Sequence, residues 1–121
     1  MRYLRTATAT RVTVGPFVDV IDGITPILDL TVTGCHLTLI IDTAGVPTLV
    51  LDTAPTLTGV GVNDMIHISG DDAGFYDLEL TDTNLNYLGR AMLALIDDDV
   101  HLPVFHEFSI VNTSWYDGMF T

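Results

Sequence analysis

Apolar and polar residues alternate through most of this chain, and the period is two. Residues 6 to 14, TATATRVTV, place Thr8, Thr10, Val12 and Val14 on one face and Ala7, Ala9, Arg11 and Thr13 on the other. Leu28, Leu30 and Val32 stand against Asp29, Thr31 and Thr33, and Leu37, Leu39 and Ile41 against His36, Thr38 and Ile40. MIHIS sets Ile66 and Ile68 opposite Met65, His67 and Ser69, and GFYDLELT sets Tyr76, Leu78 and Leu80 opposite Phe75, Asp77 and Glu79. Successive side chains of a strand point to opposite faces, so each stretch predicts a half-buried strand. TLVLD adds a strand after the turn TAGVP. AMLALI is apolar on both faces, as expected of a central strand covered on each side. PVFHEFSIV is the last predicted strand, followed by a C-terminal segment, SWYDGMF.

Turn residues cut these segments at short intervals. GPFVDVIDGITP is expected as a loop turning at Asp22-Gly23, with Pro26 blocking regular pairing. Residues 53 to 64 are expected as an exposed loop, and Asp82 as the cap of a single helical turn through DTNLNYLG. Eight or nine short strands in 121 residues predict an all-β fold, a single β-sandwich of Ig-like or jelly-roll type. Residues 1–10 are expected as an N-terminal arm and the start of the first strand, and residues 11–121 as the sandwich domain. There is no internal repeat and no low-complexity tract.

Charge changes the picture more than length does. Sixteen acids face four basic residues, Arg2, Arg5, Arg11 and Arg90, with no lysine, for a net charge of -12. Affinity for phosphate backbones and anionic membranes rests on clustered Lys and Arg, so nucleic acid and membrane are excluded as expected partners. Such acidity serves solubility, and it also suits a basic partner or a divalent cation. No run approaches the ~20 apolar residues of a membrane helix. The N-terminus lacks the apolar stretch of a secretory signal. Cys35 is the single cysteine, which rules out an intrachain disulfide or a cysteine-based zinc site.

HLPVFHEF, residues 101 to 108, is the first place to look for chemistry. On a strand, His106 shares a face with Val104, Phe108 and Ile110, while Glu107 points the other way, so the two cannot share a metal. His101 precedes Pro103 and lacks the i, i+4 spacing of a zincin helix. Both histidines are therefore expected to be structural. GDDAG has none of the alternating acids of an EF-hand loop and predicts an Asx turn entering a strand. Asp97, Asp98 and Asp99 are expected at a solvated hairpin tip. No nucleophile elbow, phosphate loop or dinucleotide fingerprint occurs, so no catalytic residue, cofactor or metal ligand is assigned, and no enzyme is expected.

RVTVGPFVDVIDGITPILDLTV (11 to 32), GFYDLELTDTNLNYLGRAML (74 to 93) and LPVFHEFSIVNTSWYDGMF (102 to 120) together resemble a family of tailed-phage and prophage virion-associated proteins. Its pattern is a GPF-D-x-x-DG-x-TP opening, a G-[FY]-Y…LGR centre and a PV-[FW]-HEF…YD close. The general plan also resembles the N-terminal β-sandwich modules of phage upper-baseplate proteins. The resemblance implies a virion structural protein, foremost a capsid-surface decoration or cement protein. The alternatives are a tail or baseplate adaptor anchoring a fibre or receptor-binding protein, and a small carbohydrate- or cation-binding module. It further implies a homo-oligomer, other phage structural proteins as partners, and a place on the outer surface of a particle assembled in the host cytoplasm. The chain stops just after YDGMF, which favours a compact bound module over a long fibre. Arg2, Tyr3, Leu4 and Arg5 combine two cations with apolar anchors, and are expected to bind a neighbouring subunit or the shell beneath.

Overall fold

The computed structural model describes residues 2–30, 35–55, 62–97 and 100–120. The strands are β1 (Arg2–Arg5), β2 (Thr10–Val14), β3 (His36–Thr43), β4 (Val46–Thr53), β5 (Met65–His67), β6 (Tyr76–Leu80), β7 (Gly89–Asp97) and β8 (His101–Val111); helix α1 spans Thr113–Phe120. They form a five-stranded sheet, β1-β8-β7-β3-β4, and a three-stranded sheet, β2-β6-β5. All pairings are antiparallel except β1 with β8. The protein is an all-β sandwich.

The alternation read from the sequence is the packing of the core. Leu37, Leu39 and Ile41 on β3, Leu93 and Leu95 on β7, and Phe108 and Ile110 on β8 face Val12 and Val14 on β2 and Tyr76, Leu78 and Leu80 on β6. Burying each such side chain contributes roughly 1.5–3 kcal/mol. The β3–β4 connection is a tight turn with Ala44 at φ 52° and Gly45 at φ 81°, the doubly left-handed geometry of a two-residue hairpin.

Several expectations are corrected. Residues 28–30 are irregular: Leu30 is buried and its N–H donates to the Tyr76 hydroxyl at 2.9 Å, while Leu28 is exposed. The rest of that predicted strand, Thr31 to Thr33, lies outside the described residues, as do 56–61 of the expected loop. β2 starts at Thr10 because Ala7 takes a positive φ of 51°. Thr81, not Asp82, caps the turn after β6. Its hydroxyl accepts from Asn84 N at 3.1 Å, while Asn84 Oδ1 accepts from Thr81 N at 3.0 Å. β7 is interior to its sheet, yet Met92 and Ile96 on its outer face are exposed, so that face is uncovered by described residues. SWYDGMF is helical, started by Asn112, whose Oδ1 accepts from Trp115 N at 2.7 Å.

The segment expected as an arm is an edge strand. Leu4 is 3 % exposed and pairs with Ile110, which makes it a core residue. Arg5 meets Asp117 at 2.8 Å and lies over the Tyr116 ring at 4.8 Å, and the Tyr3 ring sits 5.2 Å from Trp115. Arg2 Nη2 reaches the Arg11 carbonyl at 3.5 Å. These contacts tie β1 to α1 and β2.

Candidate functional site

Parts of the three motif stretches, Gly15–Phe17, Gly74–Tyr76 and His106, meet around Phe17, while Leu88–Arg90 and Tyr116–Asp117 lie toward the other end of β8. Phe17 packs edge-on against Tyr76 at 5.0 Å and against His101 at 4.7 Å. Its N–H donates to the Gly74 carbonyl at 2.8 Å, and Gly15 N–H donates to His106 Nε2 at 3.0 Å. The Tyr76 hydroxyl donates to the Ile27 carbonyl at 2.8 Å. Gly74 stands at φ +92° with backbone so close that a Cβ there would lie 2.5 Å from the Phe17 carbonyl oxygen. Only glycine fits. The motif residues are thus joints between two sheets and a loop, and their polar atoms are occupied in holding them.

The individual candidates follow the same pattern. His106 is half-buried on the inner face of β8, and burial, helped by the charge of Arg2, pulls its pKa below 6.5. His101 is fully buried at the start of β8; Nδ1–H donates to the Leu102 carbonyl at 2.7 Å, and Nε2 finds no partner among the described residues. Glu107 lies on the opposite face and pairs with Arg90 at 3.0 Å. Asp71 closes the expected Asx turn by accepting from Gly74 N at 2.9 Å and Phe75 N at 2.8 Å, which holds its carboxyl below the usual range. Asp97 is buried rather than solvated, while Asp98 and Asp99 lie outside the described residues. Burial, then the charge of Asp97, pushes the Cys35 thiol up to about 12, so the buried group stays protonated at neutral pH. Among the described residues, no three His, Cys, Asp or Glu side chains are grouped to hold a metal.

One polar cluster escaped the sequence reading. Arg11 donates from Nη1 and Nη2 to the two oxygens of Asp64, at 3.3 and 2.9 Å, and from Nε to Asp77 at 2.8 Å. These bonds, Asp64 first, raise the guanidinium pKa further above its ordinary value. Asp64 is buried, and this fork is what makes its burial tolerable. The position of Arg11 opposite Val12 in the alternation places it on the outer face, but nothing in the sequence points to Asp64.

Two cavities are outlined by described residues, of about 70 Å³ between the sheets near His106 and about 220 Å³ on the outer face of the larger sheet. Both fall short of the ~300 Å³ at which small-molecule pockets begin. Among the described residues no helix is long and apolar enough to cross a membrane.

What remains exposed and chemically distinctive is apolar. The loop between β2 and β3 folds into a hairpin-like tip: Val18 bridges Pro26, and Asp19 N donates to the Thr25 carbonyl at 2.8 Å. Asp22 Oδ1 accepts from Ile24 N and Thr25 N, both at 2.9 Å, and its other oxygen bonds the Thr25 hydroxyl, which together hold its pKa at about 2. On this braced tip Ile21 is 91 % exposed and Ile24 79 %. The second such region is the outer face of the five-stranded sheet, with Phe105, Met92, Ile40 and Leu49.

No protein-family model matches this chain, and no curated protein matches it.

Proposed function

We propose that this chain is a structural subunit of a phage particle, docking on other particle proteins from the outside as a capsid-surface decoration protein. The observation that supports an assembly role is the braced tip. Two large aliphatic side chains held out in water by six side-chain and backbone hydrogen bonds are costly to leave unpartnered. They lose little further freedom on binding, which suits an anchor that enters a pocket on a partner. The motif resemblance supplies the particle, and the net charge of -12 favours the outer surface over the DNA-filled interior.

Loading onto particles that lack the protein tests this. Purified wild type should saturate at hundreds of copies per particle. The Ile21→Asp, Ile24→Asp double variant should fold alike by circular dichroism but load at least ~10-fold more weakly, as expected when a desolvated apolar anchor is replaced by charge. Saturation at a few to dozens of copies would move the protein to the tail or baseplate. Absence of any particle binding, with binding to a glycan or calcium panel, would overturn the reading.

A further inference from the structure

On the outer face of the five-stranded sheet, residues on neighbouring strands stand in rows fixed by the register. One row runs Glu107, Met92, Ile40, Leu49; the next runs Ser109, Arg90, Asp42, Pro47. A shallow depression of about 220 Å³ lies between them, lined by Ile40, Asp42, Pro47, Arg90 and Met92. Met92 and Leu49 are about half exposed, at 49 % and 58 %, and Phe105 is 60 % exposed in the adjoining row. A flat sheet face with a central apolar row resembles one half of a sandwich interface.

We infer that this face binds a second copy of the chain, in a two-fold dimer of sheets packed face to face. The register identifies the partner through charge. Arg90 and Asp42 are direct neighbours across the β7–β3 boundary, as are Met92 and Ile40. A two-fold axis parallel to the strands and midway between β3 and β7 exchanges these two strands. Arg90 of each copy then meets Asp42 of the other, and Met92 of each meets Ile40 of the other, above the depression. An axis running across the strands would instead set Arg90 over the Ala94 row and leave Asp42 unmatched. Glu107 engages Arg90 through Nε, so the two terminal amino groups remain for Asp42 of the second copy. Right-handed twist separates the sheets at their corners, so only the two central strands need to match. Most acids lie away from this face, and at physiological salt charges beyond ~8 Å are screened.

This inference deepens the oligomeric part of the proposed function, but it is read on purified protein without particles. Its failure and a failure of particle loading are therefore separate results. Sedimentation velocity and light scattering on the full chain should show a dimer at about 100 µM, a concentration that populates any Kd in the micromolar range. Arg90→Asp places two acids against each other at each of two symmetric contacts, and Asp42→Arg does the same with two cations. Each variant alone should dimerise at least ~10-fold more weakly than wild type. Mixed one to one, they should recover the dimer as a heterodimer, since Asp at 90 then faces Arg at 42 at one contact and the native Arg90–Asp42 pair forms at the other. Met92→Asp should dissociate the dimer without changing the circular dichroism spectrum. A monomeric wild type, a dimer unaffected by Met92→Asp, or a mixture no tighter than its components would each overturn the inference.

Discussion

Replacing Arg11 by Met removes the guanidinium that forks onto the buried carboxylate of Asp64 while keeping most of its aliphatic bulk. Asp64 is then left buried without its charged partner. Because Arg11 itself is partly exposed, the expected loss is about 1–3 kcal/mol, the range for a lost charge-assisted bond rather than for a fully buried ion pair. Urea unfolding measures it, and the loss should shrink in Arg11→Met/Asp64→Leu, which removes the orphaned acid as well. His106 supplies a pH dependence. Its folded pKa lies below the ordinary 6.5, so the unfolded chain binds the proton more tightly. Its contribution is therefore fully present above pH 6.5 and is lost as pH falls from there through the lowered folded value. His106→Gln keeps an acceptor for Gly15 N–H without titrating, so the wild-type minus variant stability should fall across that window. A flat difference would show that burial does not lower the His106 pKa.

At the scale of elements, β1 and α1 depend on each other. Each lies at the edge of the sandwich, and Arg5–Asp117, Arg5 over Tyr116 and Tyr3 beside Trp115 join them. Deleting residues 1–5 removes a strand and the buried Leu4 side chain, so it should destabilise the domain by at least ~2 kcal/mol, the low end for losing a core leucine. It should also lower the helix signal in circular dichroism. Asn112→Ala removes the cap of α1 and should cost about 1 kcal/mol. If α1 supports β1, hydrogen exchange at Tyr3 and Leu4 will quicken in that variant. Unchanged exchange there would mean β1 is held by β8 alone.

For the whole molecule, association must work against like charge. Two chains of net -12 repel at long range, while the proposed Arg90–Asp42 contacts and the Met92–Ile40 centre act at contact distance. Raising ionic strength from ~0.01 to ~0.15 M shortens the screening length from about 30 to about 8 Å, which removes the long-range term first. The dimer should therefore tighten over that range. A dimer that weakens steadily with salt would mean that its attraction is mainly ionic and would count against the apolar centre.

The sequence by itself determined the sandwich, because a period of two leaves only one face of each strand to bury, and the faces of β3 and β6 follow directly from Leu37–Leu39–Ile41 and Tyr76–Leu78–Leu80. It also determined that His106 and Glu107 part company, since neighbours on a strand cannot share a site. Tertiary structure alone decided the rest. Residues 28–30 alternate like a strand but are held outside a ladder by the Tyr76 hydroxyl, a partner 46 residues away from Leu30. β1 looked like an arm because four residues carry too little periodicity to reveal a parallel partner at the other end of the chain. AMLALI looked covered on both faces because local hydrophobicity records what a residue is, not what lies over it. Whether Met92 and Ile40 meet solvent or another protein is set by long-range register and by assembly, and no local pattern encodes either.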